Sequence, residues 1–139
     1  MTPDQVFTVA NLVAAVTWIA LAILPRRRFV TDVLAGWVVP AVLSLLYLLV
    51  VATTFWRADG GFSTLSDVST LFTNRWMLLG GWVHYLAFDL LIGAWEARDA
   101  RERRVPYLVL LPCLLLTFML GPCGWLLYMA MRSRYSTRG

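Results

Sequence analysis

Long apolar runs alternate with short arginine-bearing segments along this chain, and the pattern predicts four membrane-crossing helices. The first run spans about residues 5–24 and stops at Pro25; the second spans about residues 33–56. The third covers about residues 76–95, flanked by Trp76 and Trp95, and the fourth about residues 105–131. Each is close to the ~20 residues that a helix needs to cross the hydrocarbon core. Ala10, Ala14 and Ala15 give the first run a small face suited to close helix packing. Thr31 is the expected N-cap of the second, and Pro40 predicts a kink within it. Pro112, Gly121-Pro122 and Gly124 predict a fourth helix that is bent or locally unwound.

The stretch between the second and third runs is different. Thr64 followed by Asp67 has capping-box spacing. Phe62, Leu65, Val68, Leu71 and Phe72 then recur at roughly helical intervals. This segment, about residues 63–73, is too short to cross a bilayer and reads as a helix lying in the interface. The expected architecture is therefore all-α: one domain over residues 1–139, with four transmembrane helices and a short interfacial helix between the second and third.

Composition strengthens that reading. Of 139 residues, 60% are hydrophobic and 14% charged, against ~45–50% and ~25% in soluble domains. Mean hydropathy is +0.69. A soluble core of this size cannot hide so many apolar side chains. The net charge of +4 comes with twelve basic residues, all arginine. They gather at the ends of the apolar runs: Arg26–Arg28, then Arg98, Arg101, Arg103 and Arg104, then Arg132, Arg134 and Arg138. That is how cytoplasmic flanks of membrane helices look, and no basic stripe interleaved with aromatics argues for nucleic acid. In a four-span arrangement, the loops after spans one and three hold seven arginines against five elsewhere, which favours both termini outside the cytoplasm. Asp4 sits where a signal peptide needs positive charge, so the first run reads as a retained helix.

Candidate chemistry lies on the third span. Tyr85, Asp89, Gly93 and Glu96 fall on one helical stripe. His84 lies about 100° round from Tyr85 and starts a second stripe. One helix thus offers a phenol, an imidazole and a carboxylate, the usual partners of general acid–base catalysis. A carboxylate there costs ~2.5–3.5 kcal/mol on insertion scales, so Asp89 is expected to face the bundle interior rather than lipid. The alternative is structural: Asp89 holds Asn11 of the first span or Thr117 of the fourth and pins the helices together. His84 is the only histidine, so haem and metal sites lack their ligands, and no cofactor is expected. Cys113 and Cys123, ten residues apart, would lie about 15 Å apart on a helix and read as buried apolar thiols.

The signature Trp82-x-His84-x-x-x-x-Asp89-Leu90 resembles the family named after plant abscisic-acid-deficient protein four. So do Asp99 further along, Leu111-Pro112-Cys113, and Gly121-Pro122-x-Gly124. The similarity covers the chain as four spans, with most of it between Phe72 and Leu127. Plant members are implicated in making neoxanthin from violaxanthin, formally an isomerisation in which an epoxide opens and an allene forms. The resemblance implies that His84 and Asp89 act as acid and base, with Tyr85 donating to the epoxide oxygen. It also implies that Trp82, Gly93, Asn11 and Thr117 contact a carotenoid or lipid-like substrate arriving from the bilayer. Without a plastid transit peptide the chain looks like a bacterial member of the inner membrane. The alternative is a non-enzymatic protein that binds carotenoid or lipid, or assists a membrane complex or a second copy of itself.

Overall fold

The computed structural model describes residues 1–135; Arg138 lies outside them. Helices make up the fold, and the described residues contain no strand. Helix α1 (Pro3–Ile23) opens with a capping box, in which the Gln5 amide donates to Thr2 Oγ1 and the Thr2 amide to Gln5 Oε1. Pro3 occupies its first turn, where a missing N–H costs nothing. Ala10 and Ala14 are buried, as a small packing face requires.

Helix α2 (Phe29–Arg57) begins earlier than the apolar pattern suggested. Its first ten residues, Phe29–Val38, are π-helical, and regular α-helix takes over at Val39. Thr31 is not the cap but lies inside the helix, fully buried. Its hydroxyl donates to Arg27 O and Asp32 Oδ1 and accepts from Arg101 Nη1 at 2.8 Å. That distant arginine, which also pairs with Asp32, overrides the local capping preference. Pro40 sits just after the π-to-α switch, where the altered ladder absorbs its missing donor.

A three-residue closing turn ends α2, and the short helix α3 (Leu65–Leu71) follows. Its capping box is the expected one, with the Asp67 amide donating to Thr64 Oγ1 and the Thr64 amide to Asp67 Oδ2. Helix α4 (Arg75–Arg103) is capped by Asn74 and runs two turns beyond Trp95. At ~43 Å it is the central strut, and α1, α2 and the helices after it all pack on it. Among the described residues three helices are long and apolar enough to cross a membrane: α1, α2 and α4.

The segment expected as a fourth span is two helices, α5 (Tyr107–Leu120) and α6 (Pro122–Arg132), and the chain reverses between them. Going along α5, Thr117 meets Glu96 of α4, and Gly121 at the turn meets Asp89 one to two turns further from α4's C-terminus. Going along α6, Tyr128 and Arg132 return to Asp99, and Arg103 bonds the Tyr135 carbonyl. At ~21 Å, α5 is shorter than the ~30 Å hydrocarbon core. A proline and glycine pair read as a kink is here a hairpin tip, because Gly121 adopts φ +23° and ψ −86°. The N-terminus, where Asp4 pairs with Arg75, and the end of the described chain consequently lie at opposite ends of α4.

Candidate functional site

The hairpin covers one face of α4, and the acidic side chains of that face sit beneath it. Nearest the C-terminal end, Asp99 accepts from Tyr128 Oη at 2.7 Å, Arg132 Nε at 2.9 Å, Arg132 Nη2 at 2.5 Å and Arg103 Nε at 3.1 Å. The Arg132 guanidinium also lies 5.2 Å over the Trp95 ring. One turn up, Glu96 is fully buried and takes its hydrogen bond from the Thr117 hydroxyl, 2.9 and 3.1 Å from its two oxygens. The Thr117 hydroxyl reaches it because Gly124 has no side chain: a Cβ there would collide with Thr117.

Asp89, two turns above Glu96, faces the hairpin tip. A Cβ on Gly121 would stand 2.6 Å from Asp89 Oδ1. The Asp89 side chain is 5% exposed, and its Oδ2 is the one buried side-chain polar atom among the described residues without a hydrogen-bond partner. The contrast with Asp99 is chemical. Asp99 is a neutralised, multiply bonded pin, whereas Asp89 is buried without equivalent donors. Leaving a carboxyl group so placed is costly, and apolar residues of similar volume commonly serve a fold better.

Above Asp89 the stripe becomes aromatic. Tyr85 is half-buried one turn before it and packs on Trp82 with ring centroids 5.4 Å apart. Trp82 Nε1 donates to Asn11 Oδ1 at 3.0 Å, joining α4 to α1, and Phe7 lies against the same indole. Above these residues, towards the N-terminal end of α4, lies an apolar cavity of about 490 Å³. Phe7, Phe72, Leu78, Gly81 and Trp82 line it, with the exposed Asp4–Arg75 ion pair at its rim. Trp82 belongs to its wall, and the Trp82–Tyr85 stack leads from there towards Asp89.

Of the residues singled out from sequence, Trp82, Tyr85, Asn11 and Asp89 therefore lie along one connected face. His84 does not join them: it is exposed and packs on Tyr47 of α2 and Phe88, at centroid distances of 5.4 and 4.7 Å. Gly93 is covered by Trp18 and Leu21 of α1, and a Cβ there would collide with the Trp18 ring. Neither Asn11 nor Thr117 bonds Asp89, since Trp82 takes the first and Glu96 takes Thr117. Both cysteines are free; Cys113 is buried as expected, but Cys123 is exposed, because the turn at Gly121 puts it on the opposite arm of the hairpin. Sequence reasoning placed Glu96 on the stripe but gave it no role, took Arg132 only as a flanking charge, and missed Tyr128. Continuing the Tyr85–Asp89–Gly93–Glu96 spacing by one more turn reaches Asp99 and would have shown that the helix does not end at Trp95.

Three apolar helices of spanning length, with a buried acidic stripe roofed by a shorter helical hairpin, define a small helical membrane-type protein. The particular family is given by sequence comparison: residues 5–128 match the ABA DEFICIENT 4-like (ABA4-like) family, and the chain belongs to it. No curated protein and no solved structure matches it.

Proposed function

We propose that the protein is an integral, multi-pass membrane protein that receives a long apolar substrate of the carotenoid class from the bilayer and moves a proton on it. In this reading Asp89 and Tyr85 supply the acid–base pair. The observation that carries it is the buried Asp89 carboxyl group, with Oδ2 unpartnered, at the tip of a hairpin that closes over it. Buried carboxyl groups with an unpartnered oxygen are candidates for proton transfer. The cavity beside Trp82 would receive the chain of the substrate, and the Trp82–Tyr85 stack would lead its polar end to Asp89.

The chemistry follows the reaction that the resemblance implies. A base takes a proton from a carbon conjugated to the epoxide. The freed C–H electron pair becomes a carbon–carbon π bond, the C–O bond breaks towards oxygen, and an acid protonates that oxygen. Asp89 suits the base, and Tyr85, one turn away on the same stripe, suits the donor to oxygen. No redox change occurs, and the proton gained by Asp89 restores Tyr85.

Three crossings by α1, α2 and α4 fit this arrangement, with α5 and α6 entering and leaving on one side. Re-entrant backbone is tolerated where protein buries it, and α4 does so here. On that topology nine of the eleven described arginines share one side and only Arg57 and Arg75 lie on the other, which orients the arginine-rich side to the cytoplasm. A second reading, binding without conversion, is favoured by the two turns that separate the cavity wall at Trp82 from Asp89. Expression in a host accumulating epoxy-carotenoids, followed by pigment chromatography, tests both. Conversion by the wild type that is lost in Asp89→Asn supports the proposal. Pigment that co-purifies unchanged supports binding alone, and an unaltered profile in every such host contradicts both.

A further inference from the structure

We infer that the junction of α1 with α5 is a binding site for one anionic phospholipid. This inference needs the membrane reading but not the chemistry assigned to Asp89. A second cavity of about 330 Å³ lies there, lined by Ile23, Leu24, Pro25, Arg26, Arg27 and Tyr107. Its walls and its rim differ in character. Ile23, Leu24, Pro25 and Tyr107 supply an apolar lining, and Arg26 and Arg27, both exposed, supply two cationic side chains.

The shape of this cleft is fixed by bonds rather than by loose side chains. Tyr107 Oη donates to the Ala22 carbonyl at 3.0 Å, tying the start of α5 to the last turn of α1. The Arg27 amide donates to the Leu24 carbonyl at 3.0 Å, and the Val30 and Thr31 amides donate to the Arg27 carbonyl. The turn carrying both arginines is thereby anchored to α1 on one side and α2 on the other.

The charges at this end of the molecule leave those two arginines unsatisfied. Asp32 is taken by Arg101, and Asp99 by Arg103 and Arg132. Arg26 and Arg27 are exposed and take part in no ion pair among the described residues. Guanidinium groups recognise phosphate oxygens by charge-assisted hydrogen bonds. A free phosphate would leave the apolar walls facing water, and a neutral lipid would leave both cations unmatched. A phosphodiester headgroup with no cation of its own, seated by the arginines with an acyl chain along Ile23 and Leu24, satisfies both. The cleft lies where α1 ends, which is the depth at which headgroup phosphates stand.

The test is native mass spectrometry of the full chain in neutral detergent with phosphatidylglycerol or phosphatidylcholine added. Phosphatidylglycerol should be retained at least about tenfold better, and Arg26→Gln/Arg27→Gln should lower that retention by about tenfold or more, given ~1 kcal/mol per arginine near an anionic headgroup. Arg104→Gln/Arg134→Gln removes two exposed arginines at the same end but outside the cleft, and should leave retention unchanged. Leu24→Trp fills the cleft with both charges intact and should also weaken retention. Melting curves without lipid show which variants are folded, and Leu24→Trp carries the test if the arginine pair is needed for folding. Equal loss in the two arginine pairs, equal retention of both lipids, or displacement by inorganic phosphate alone would each overturn the inference.

Discussion

Helix α4 presents two polar faces that differ in what covers them. On one, Tyr85, Asp89, Glu96 and Asp99 lie under α1 and the α5–α6 hairpin, and three of the four are buried. On the other, His84 stands exposed between Tyr47 and Phe88. Residues 84 and 85 are neighbours in sequence, yet only one is on the roofed face. The difference teaches that polarity in an apolar helix is not itself a site. What distinguishes the roofed face is that its groups are held at graded degrees of satisfaction, from multiply bonded Asp99 to Asp89, whose Oδ2 has no partner.

The largest effect on stability is expected at the bonded end. Asp99→Ala leaves Arg132, Arg103 and Tyr128 without their shared acceptor, and breaking such a network costs about 3–5 kcal/mol. A thermal unfolding midpoint in detergent checks it, and a loss under 1 kcal/mol would break the view of Asp99 as a pin. Next comes Gly124→Ala, whose Cβ would push into Thr117 and part the hairpin arms, costing about 1–3 kcal/mol in the same assay. Thr117→Val keeps the volume but removes the hydroxyl that serves Glu96, at about 1–3 kcal/mol. Adding Glu96→Leu to Thr117→Val should recover part of that loss, because a buried pair replaced together removes the unmatched group. Failure of the double variant to recover any stability would show that Glu96 has partners beyond Thr117. The smallest effect is expected on the exposed face, where His84→Ala should change stability by no more than about 0.5 kcal/mol.

Much of this fold could be read from the chain, wherever local chemistry decided the outcome. Pro25 follows the end of α1, and Thr64 with Asp67 starts α3. The readings that failed were those settled by partners distant in sequence. Thr31 has the right type for a cap but is claimed by Arg101, seventy residues away. Trp95 looks like an interface residue ending a span because Glu96, Arg98 and Asp99 follow it. Glu96 and Asp99 are accepted into the interior by Thr117, Tyr128 and Arg132, and Arg98 bonds the Thr31 carbonyl, partners which no spacing within α4 reveals. Gly121-Pro122 announces an interruption, but whether the chain bends or reverses depends on the glycine's backbone angles. That reversal matters for the site, since it brings the hairpin tip to Asp89. It also changes the arginine distribution from a nearly even split between two sides to a strongly biased one.

The most direct measurement compares the two faces in one assay. Conversion of an epoxy-carotenoid would be followed in membranes carrying equal amounts of folded wild type, Asp89→Asn and His84→Ala. Asp89→Asn is expected to lose at least about a hundredfold in rate, the scale of a general acid–base group, while His84→Ala stays close to wild type. Activity that survives in Asp89→Asn and disappears in His84→Ala would contradict that expectation.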